Sequence, residues 1–228
     1  MLQIGNCFYN AKRFEDALAA FDKTAKSYPN SANIWKAKYE TAWCYYQLGM
    51  EQKALEEFMQ LLSKYPSLEI TPDIEFWVGQ HFYNQDKLDK AREYFSRIAE
   101  KFPQSGIASD ALYWLGWTNY KMGGLKSAVE TLRRVYIEYP NSNLAKEALL
   151  NTGKILLESG ELDYALMKFQ ELAEKFPNTV FEKMAWHNIA DVFHRQKLWD
   201  KAIEYYSKAI TNSDSAADVQ LQFKICEC

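Results

Sequence analysis

The chain has no apolar run approaching the ~18 residues that a helix needs to cross a bilayer, so no direct membrane insertion is expected. It has no excess of positive charge: 27 Lys and Arg stand against 30 Asp and Glu, for a formal net charge of −3. The basic footprint of a nucleic-acid binder is therefore missing, and Arg133-Arg134 is too short to track a phosphate backbone. Met1 leads straight into Leu-Gln-Ile-Gly-Asn, without the basic start and apolar core of a secretory signal. Cysteine is scarce, with four in 228 residues. Cys226 and Cys228 are two apart, so a helix would point them to nearly opposite sides, which suits neither a disulfide nor chelation. Scattered thiols of this kind favour a reducing compartment. There is no Gly-rich phosphate loop, no Gly-x-Ser-x-Gly elbow, no His-Glu-x-x-His and no paired Cys-x-x-Cys set. Acid pairs such as Glu56-Glu57 fall on helical faces shared with lysines, where water solvates them. Nothing converges on a catalytic pocket, and the reading is a non-enzymatic protein that needs neither cofactor nor metal.

What the chain does have is a ruler. Alanines recur at Ala17, Ala54, Ala91, Ala128, Ala165 and Ala202, always 37 residues apart. Four residues after each comes a bulky apolar residue: Phe21, Phe58, Phe95, Leu132, Phe169 and Tyr206. Twelve residues before each sits a small one: Gly5, Ala42, Gly79, Gly116, Gly153 and Ala190. Prolines at 29, 66, 103, 140 and 177 each follow Tyr or Phe. Within a frame, aromatic residues first recur at helical spacing, as in Trp35-Tyr39-Trp43-Tyr46. A break follows, at Leu48-Gly49, Met122-Gly123-Gly124 or Ser159-Gly160, where glycine can take the left-handed conformation that ends a helix. A second amphipathic helix then runs to the aromatic-proline pair, and proline forbids its continuation. Ser31, Ser105, Ser142 and Thr179 are placed to cap the next helix. The small residues have a packing reason, because two helices that cross closely need small side chains at the contact and a large one beside it.

A small Gly/Ala, a later Ala, an aromatic residue one turn on and a terminal Pro resemble the tetratricopeptide repeat pattern, here over essentially all of the chain. The resemblance implies an all-α, right-handed superhelical solenoid of antiparallel helix pairs. It has six repeats (about 1–29, 30–66, 67–103, 104–140, 141–177 and 178–214) in one domain, with 215–228 opening a partial seventh. The family's usual period is about 34 residues. The three extra residues fall between the proline and the next first helix, so that helix is expected to start about a turn early. The Tyr/Phe-Pro-x-Ser/Thr junction is similar to the longer repeats of bacterial envelope proteins, which points to the periplasm, although the free cysteines fit a cytoplasmic setting. Neither end carries the polar cap with which solenoids finish, so a segment of a longer protein is expected.

In this family the first helix of each pair lines a concave groove. The resemblance thus implies a partner-binding surface made of Tyr39, Trp43 and Tyr46, then Phe76, Gln80 and Tyr83, then Tyr113, Trp117 and Tyr120. Spacing of i, i+4, i+7 sets each trio on one stripe, and such rings can instead be packing between repeats. Asn6, Asn10, Gln80 and Asn84 could bond a ligand's backbone. The lining changes with Leu150, Lys154 and Leu157 and then His187, Asp191 and His194. His187 and His194 lie ~10.5 Å apart along a helix, so a polar lining is expected there rather than a metal site, even if Cys228 approached. The family's grip on a C-terminal carboxylate is not expected, because Leu2, Glu40 and Asp73 occupy places that would need basic or amide groups. The expected partner is a protein or peptide laid in the groove. The alternative is a structural assembly protein of the bacterial envelope that self-associates through its ends.

Overall fold

The computed structural model describes residues 1–210 and 216–227; position 228, and the start of the segment 215–228, lie outside the described residues. Among the described residues the chain forms thirteen helices and no strand. They are α1 (Leu2–Asn10), α2 (Phe14–Ser27), α3 (Ile34–Gln47), α4 (Glu51–Lys64), α5 (Thr71–Asn84) and α6 (Leu88–Lys101). Then come α7 (Ala108–Lys121), α8 (Leu125–Glu138), α9 (Ala145–Glu158), α10 (Leu162–Lys175), α11 (Val180–Arg195), α12 (Trp199–Ala209) and α13 (Ala216–Glu227). The helices belong to two compact units, Met1–Ile107 and Ala108–Cys228. In each unit consecutive helices pack on one another as the turns of a helical solenoid. Among the described residues no helix is long and apolar enough to cross a membrane.

The periodic residues form the core as their spacing predicts. All six period alanines are fully buried, as are Phe21, Phe58, Phe95, Leu132 and Phe169, with Tyr206 at 1% exposure. Each second helix buries a single stripe, as α6 does with Ala91, Phe95, Ile98 and Ala99, and turns charged residues such as Lys90, Arg92 and Glu93 outward. The small residue of the first helix receives the large residue 16 positions later. A Cβ placed on Gly79 would stand 2.7 Å from the Phe95 ring, and one on Gly116 would stand 2.7 Å from Leu132.

The turn inside each pair is shorter than its variable sequence suggests. The residues at 12, 49, 86, 123, 160 and 197 all have positive φ, and three of them are Lys12, Asp86 and Lys197 rather than glycine. The backbone explains why one geometry serves all six. The N–H of Gly49 donates to Tyr46 O and the N–H of Met50 to Tyr45 O, and the same two bonds recur at Lys197 and Leu198, to His194 and Phe193. These are the paired bonds of the Schellman motif, which asks nothing of the side chain except tolerance of the left-handed region. For a non-glycine residue that region costs roughly 1–2 kcal/mol. Lys197→Gly is therefore expected to raise stability by about 0.5–1 kcal/mol after glycine's extra unfolded-state entropy is counted. Urea denaturation would measure it, and a destabilised variant would contradict the strain.

The junctions between pairs correct two expectations. Helices α3, α5, α7 and α9 begin at Ile34, Thr71, Ala108 and Ala145, so the extra residues after each proline form turns and do not lengthen the helix. Only α11 starts two positions early in that frame, and it has 16 residues where the others have 14. Nor do the serine hydroxyls cap the helices. Ser31 Oγ accepts from Asn33 N–H and Ser142 Oγ from Leu144 N–H, which are two-residue turns ahead of the helix. Thr179 does stand at the N-cap of α11, but its hydroxyl donates back to Phe176 O.

One charged residue sits inside the first unit. Glu75 of α5, 3% exposed, occupies the place that Leu112 and Leu149 take in later repeats. Its Oε1 accepts from Arg97 at 3.0 Å, while Oε2 has no hydrogen-bond partner. Burial pushes this carboxyl up, against the lowering pull of Arg97. An acid whose folded pKa lies above its unfolded value binds more protons when folded, so it costs stability as pH rises above the usual carboxylate range. Glu75→Gln should therefore stabilise the chain more at pH 7 than at pH 4 in paired denaturant melts. An equal effect at both would show that the carboxyl does not titrate with folding.

Candidate aromatic binding surface

In the first unit, the α3 stripe forms a connected set of rings. Trp43 meets Tyr39 at 6.0 Å and Tyr46 at 5.7 Å, both edge to face. Beneath them the fully buried Phe58 of α4 lies 5.3 Å from Trp43 and 6.0 Å from Tyr39. Tyr39 and Trp43 are half-buried and Tyr46 is 40% exposed, so the stripe is both packing and surface. Burial raises the Tyr39 phenol above its ordinary value, with Asp73 adding to the effect.

The link from α3 to α5 runs through a residue that the stripe pattern passes over. Trp77 reaches Tyr46 at 5.6 Å, Trp43 at 6.4 Å and Phe58 at 4.8 Å. It stacks on His81 at 5.4 Å with an 18° interplanar angle. His81 is buried; Gln85 Nε2 donates to its Nε2 at 2.8 Å, and Glu51 faces its Nδ1 at 3.7 Å. Burial lowers the pKa of this imidazole, in keeping with a neutral ring accepting from an amide. Of the α5 trio, Phe76 packs on Phe95 of α6 at 5.7 Å, and Gln80 and Tyr83 are half-buried.

In the second unit, α7 repeats the arrangement with its hydroxyls engaged. Trp117 meets Tyr113 at 6.3 Å and Tyr120 at 5.4 Å. Tyr113 Oη donates to Glu147 at 3.4 Å and accepts from Asn151 at 3.1 Å, while Tyr120 Oη donates to Glu158 at 2.6 Å. Both phenols are raised, Tyr113 chiefly by burial and Tyr120 chiefly by its bond to Glu158. On α9 the expected lining does not form: Leu150 and Leu157 are 5% and 6% exposed and belong to the core, which leaves Lys154 at the surface.

The α11 trio divides. His187 and Asp191 join a network built on Tyr206, the sixth pair's counterpart of the core phenylalanines. Tyr206 Oη donates to Asp191 Oδ1 at 2.5 Å, and Lys224 of α13 donates to the same oxygen at 2.6 Å. Lys224 also donates to His187 Nε2 at 3.1 Å. Burial lowers the His187 pKa, and the positive charges of Lys224 and Lys154 work in the same direction. His194 packs edge-on to Trp199 at 5.0 Å and lines a pocket with Asp191, Arg195, Tyr206 and Lys224 without bonding to the network. Arg195 donates to Leu157 O at 2.8 Å, tying α11 to α9. Among the described residues no group of three His, Cys, Asp or Glu is placed to hold a metal ion. Cys44 is buried, with its thiol pushed up to about 12.

Comparison with known proteins agrees with this architecture. A family model described as a tetratricopeptide repeat-like domain matches residues 39–227, and a tetratricopeptide repeat model matches residues 1–31. Among curated proteins nothing matched the chain. Solved structures with the same fold include YrrB, described as a TPR protein with an unusual peptide-binding site. It is 21% identical over 90% of this chain and 98% of its own, with a TM-score of 0.62. A tetratricopeptide repeat protein from Parabacteroides merdae is 16% identical over 98% of this chain and 83% of its own, with a TM-score of 0.64. PilF from Pseudomonas aeruginosa is 17% identical over 98% and 95%, with a TM-score of 0.60. With its six-fold 37-residue frame, its paired helices and a family match over most of its length, the chain belongs to the tetratricopeptide repeat family.

Proposed function

We propose that this chain is an interaction scaffold that holds a segment of a partner protein against its first-helix aromatic stripes, without catalysis. The carrying observation is the half-exposed ring set Tyr39-Trp43-Tyr46 with Trp77, resting on the buried Phe58. Rings held edge to face by a rigid floor lose little entropy on binding, and Tyr and Trp combine large apolar area with a polar tip, as binding hot spots require. In the second unit Tyr113, Trp117 and Tyr120 offer a like surface, bordered by Glu147 and Glu158. His187, Asp191 and His194 contribute polarity beyond it. That YrrB, of the same fold, is described as peptide-binding supports the reading.

The test is a displayed-peptide selection on the wild-type chain, with recovered peptides measured against Tyr46→Ala and Tyr120→Ala. Both variants should keep their helical circular dichroism, since Tyr46 is 40% exposed and Tyr120 is partly exposed. Selected peptides should lose at least tenfold in affinity to one variant or the other, about 1.4 kcal/mol or more. Peptides that bind the wild type and both variants alike would place the site elsewhere.

A further inference from the structure

We infer that the pocket between α11, α12 and α13 takes an acidic side chain, Asp or Glu, of the bound segment, with its carboxylate on the guanidinium of Arg195. The inference rests on the groove reading above. Asp191, His194, Arg195, Tyr206 and Lys224 line this pocket of about 290 Å³, wholly within the second unit.

Arg195 carries the argument. Its Nη1 donates to Leu157 O, and among the described residues its side chain makes no other bond or ion pair. The remaining Nε–H and Nη2–H lie along one edge of the planar group. That edge meets the two oxygens of a carboxylate with parallel bonds. The residue is exposed, so the edge can be reached. The α9 carbonyl already holds the guanidinium in place, and little further ordering is needed when a carboxylate arrives.

The nearby acids are engaged elsewhere. Asp191 Oδ1 accepts from Tyr206 and from Lys224, and Oδ2 stands 3.6 Å from His187 Nε2. Glu158, which follows Leu157 in the chain, accepts from Tyr120 Oη at 2.6 Å. Against these two carboxylates stand three cations: Arg195, Lys224 and Lys154 of α9. Lys154 is exposed and forms no ion pair among the described residues. The His187 imidazole registers the excess. Its pKa is lowered first by burial, raised in part by Asp191, and lowered again by Lys224 and Lys154. A basic side chain would be repelled here. An apolar one would cover the Arg195 edge without bonding it, which is costly. A carboxylate answers both the charge and the paired donors.

The displayed selection on the wild-type chain is expected to return Asp or Glu at one fixed position. Those peptides, synthesised with both ends blocked, and versions with that acid replaced by its amide are measured by anisotropy. The chains are wild type, Arg195→Ala, Lys154→Ala and Arg133→Ala, the last removing a positive charge from α8 outside the pocket. All three substituted residues are exposed, so each variant should keep its helical circular dichroism. On wild type and Arg133→Ala the amide peptide should bind about tenfold more weakly than the acid. On Arg195→Ala the two should agree within about twofold, as a double-mutant cycle requires of a direct pair. Lys154→Ala should cost the acid peptide about threefold and the amide peptide nothing. Selected peptides without an acidic preference overturn the inference, as does an amide replacement that costs as much on Arg195→Ala as on wild type. A requirement for a free C-terminus also overturns it, because the ligand would then be the chain's end. So does phosphoserine binding tighter than the acid through Arg195. Peptides that depend on Tyr120 and ignore Arg195 overturn it while leaving the groove reading intact. If no selected peptide depends on Tyr46 or Tyr120, the groove reading itself falls.

Discussion

Gly153→Leu is expected to destabilise the second unit severely, and Gly153→Ala to destabilise it much less. Gly153 of α9 faces the Phe169 ring of α10, which is fully buried and must shift to admit a side chain. A Cβ added there would stand 2.5 Å from Phe169 Cε1. For alanine the strain is offset in part by the roughly 1 kcal/mol that it gains over glycine within a helix. The chain itself shows that one methyl can be accommodated, since Ala42 and Ala190 occupy the same place opposite Phe58 and Tyr206. Leucine adds three more carbons at a point where two helices have no room to part, and such overpacking costs about 1–3 kcal/mol and at times more. Urea melts followed by circular dichroism would separate the two variants. If leucine and alanine proved equally tolerated, the close crossing would not be the reason for the small residue.

Phe58→Ala should be the most damaging single truncation in the first unit, at about 3–5 kcal/mol. Its ring is fully buried and lies within 6.0 Å of Tyr39, Trp43 and Trp77. Removing it leaves a cavity under three rings that α3 and α5 share. The emission of Trp43 and Trp77 should shift toward that of solvated indole, and groove binding should weaken along with stability. Tyr46→Ala, by contrast, should weaken binding while leaving the melting midpoint nearly unchanged. Phe58→Leu should fall between them, because Leu132 fills the equivalent place in the fourth pair. A chain that tolerates Phe58→Ala with unaltered tryptophan emission would show that the rings support one another without the floor.

The repeat frame was legible because it is written in local, periodic residues: the six alanines, the large residue four positions on and the small residue twelve positions back all lie in the core. The turns were half legible. Gly49, Gly123 and Gly160 announced the left-handed residue, whereas Lys12, Asp86 and Lys197 adopt it through backbone bonds that leave no mark on composition. The rings of Tyr39, Trp43 and Tyr46 touch along one stripe, as do those of Tyr113, Trp117 and Tyr120, which their spacing implied. Trp77 was missed because it sits about 100° of helix away from Phe76. Which of two adjacent stripes touches the neighbouring pair depends on how the pairs rotate against each other, and no local pattern records that rotation. Leu150 and Leu157 were misplaced for the same reason. The His187-Asp191 network could have been suspected, since a tyrosine in a slot otherwise filled by Phe or Leu needs a partner for its hydroxyl. Its third member, Lys224 of α13, lies 33 positions from Asp191 and could be placed only by the fold.

The pairing of each helix mainly with its immediate neighbours in the chain bears on how the protein is made. In both units the principal helix contacts join consecutive elements, such as α1 with α2 and α11 with α12. Each such contact closes a loop of only a few residues, so little chain entropy is lost before packing begins to compensate for it. Proteins dominated by near-sequence contacts fold fast, and stacked repeats gain stability stepwise from each added interface. Within each unit, a chain leaving the ribosome would therefore complete one helical hairpin and seat the next upon it, without waiting for distant residues to emerge.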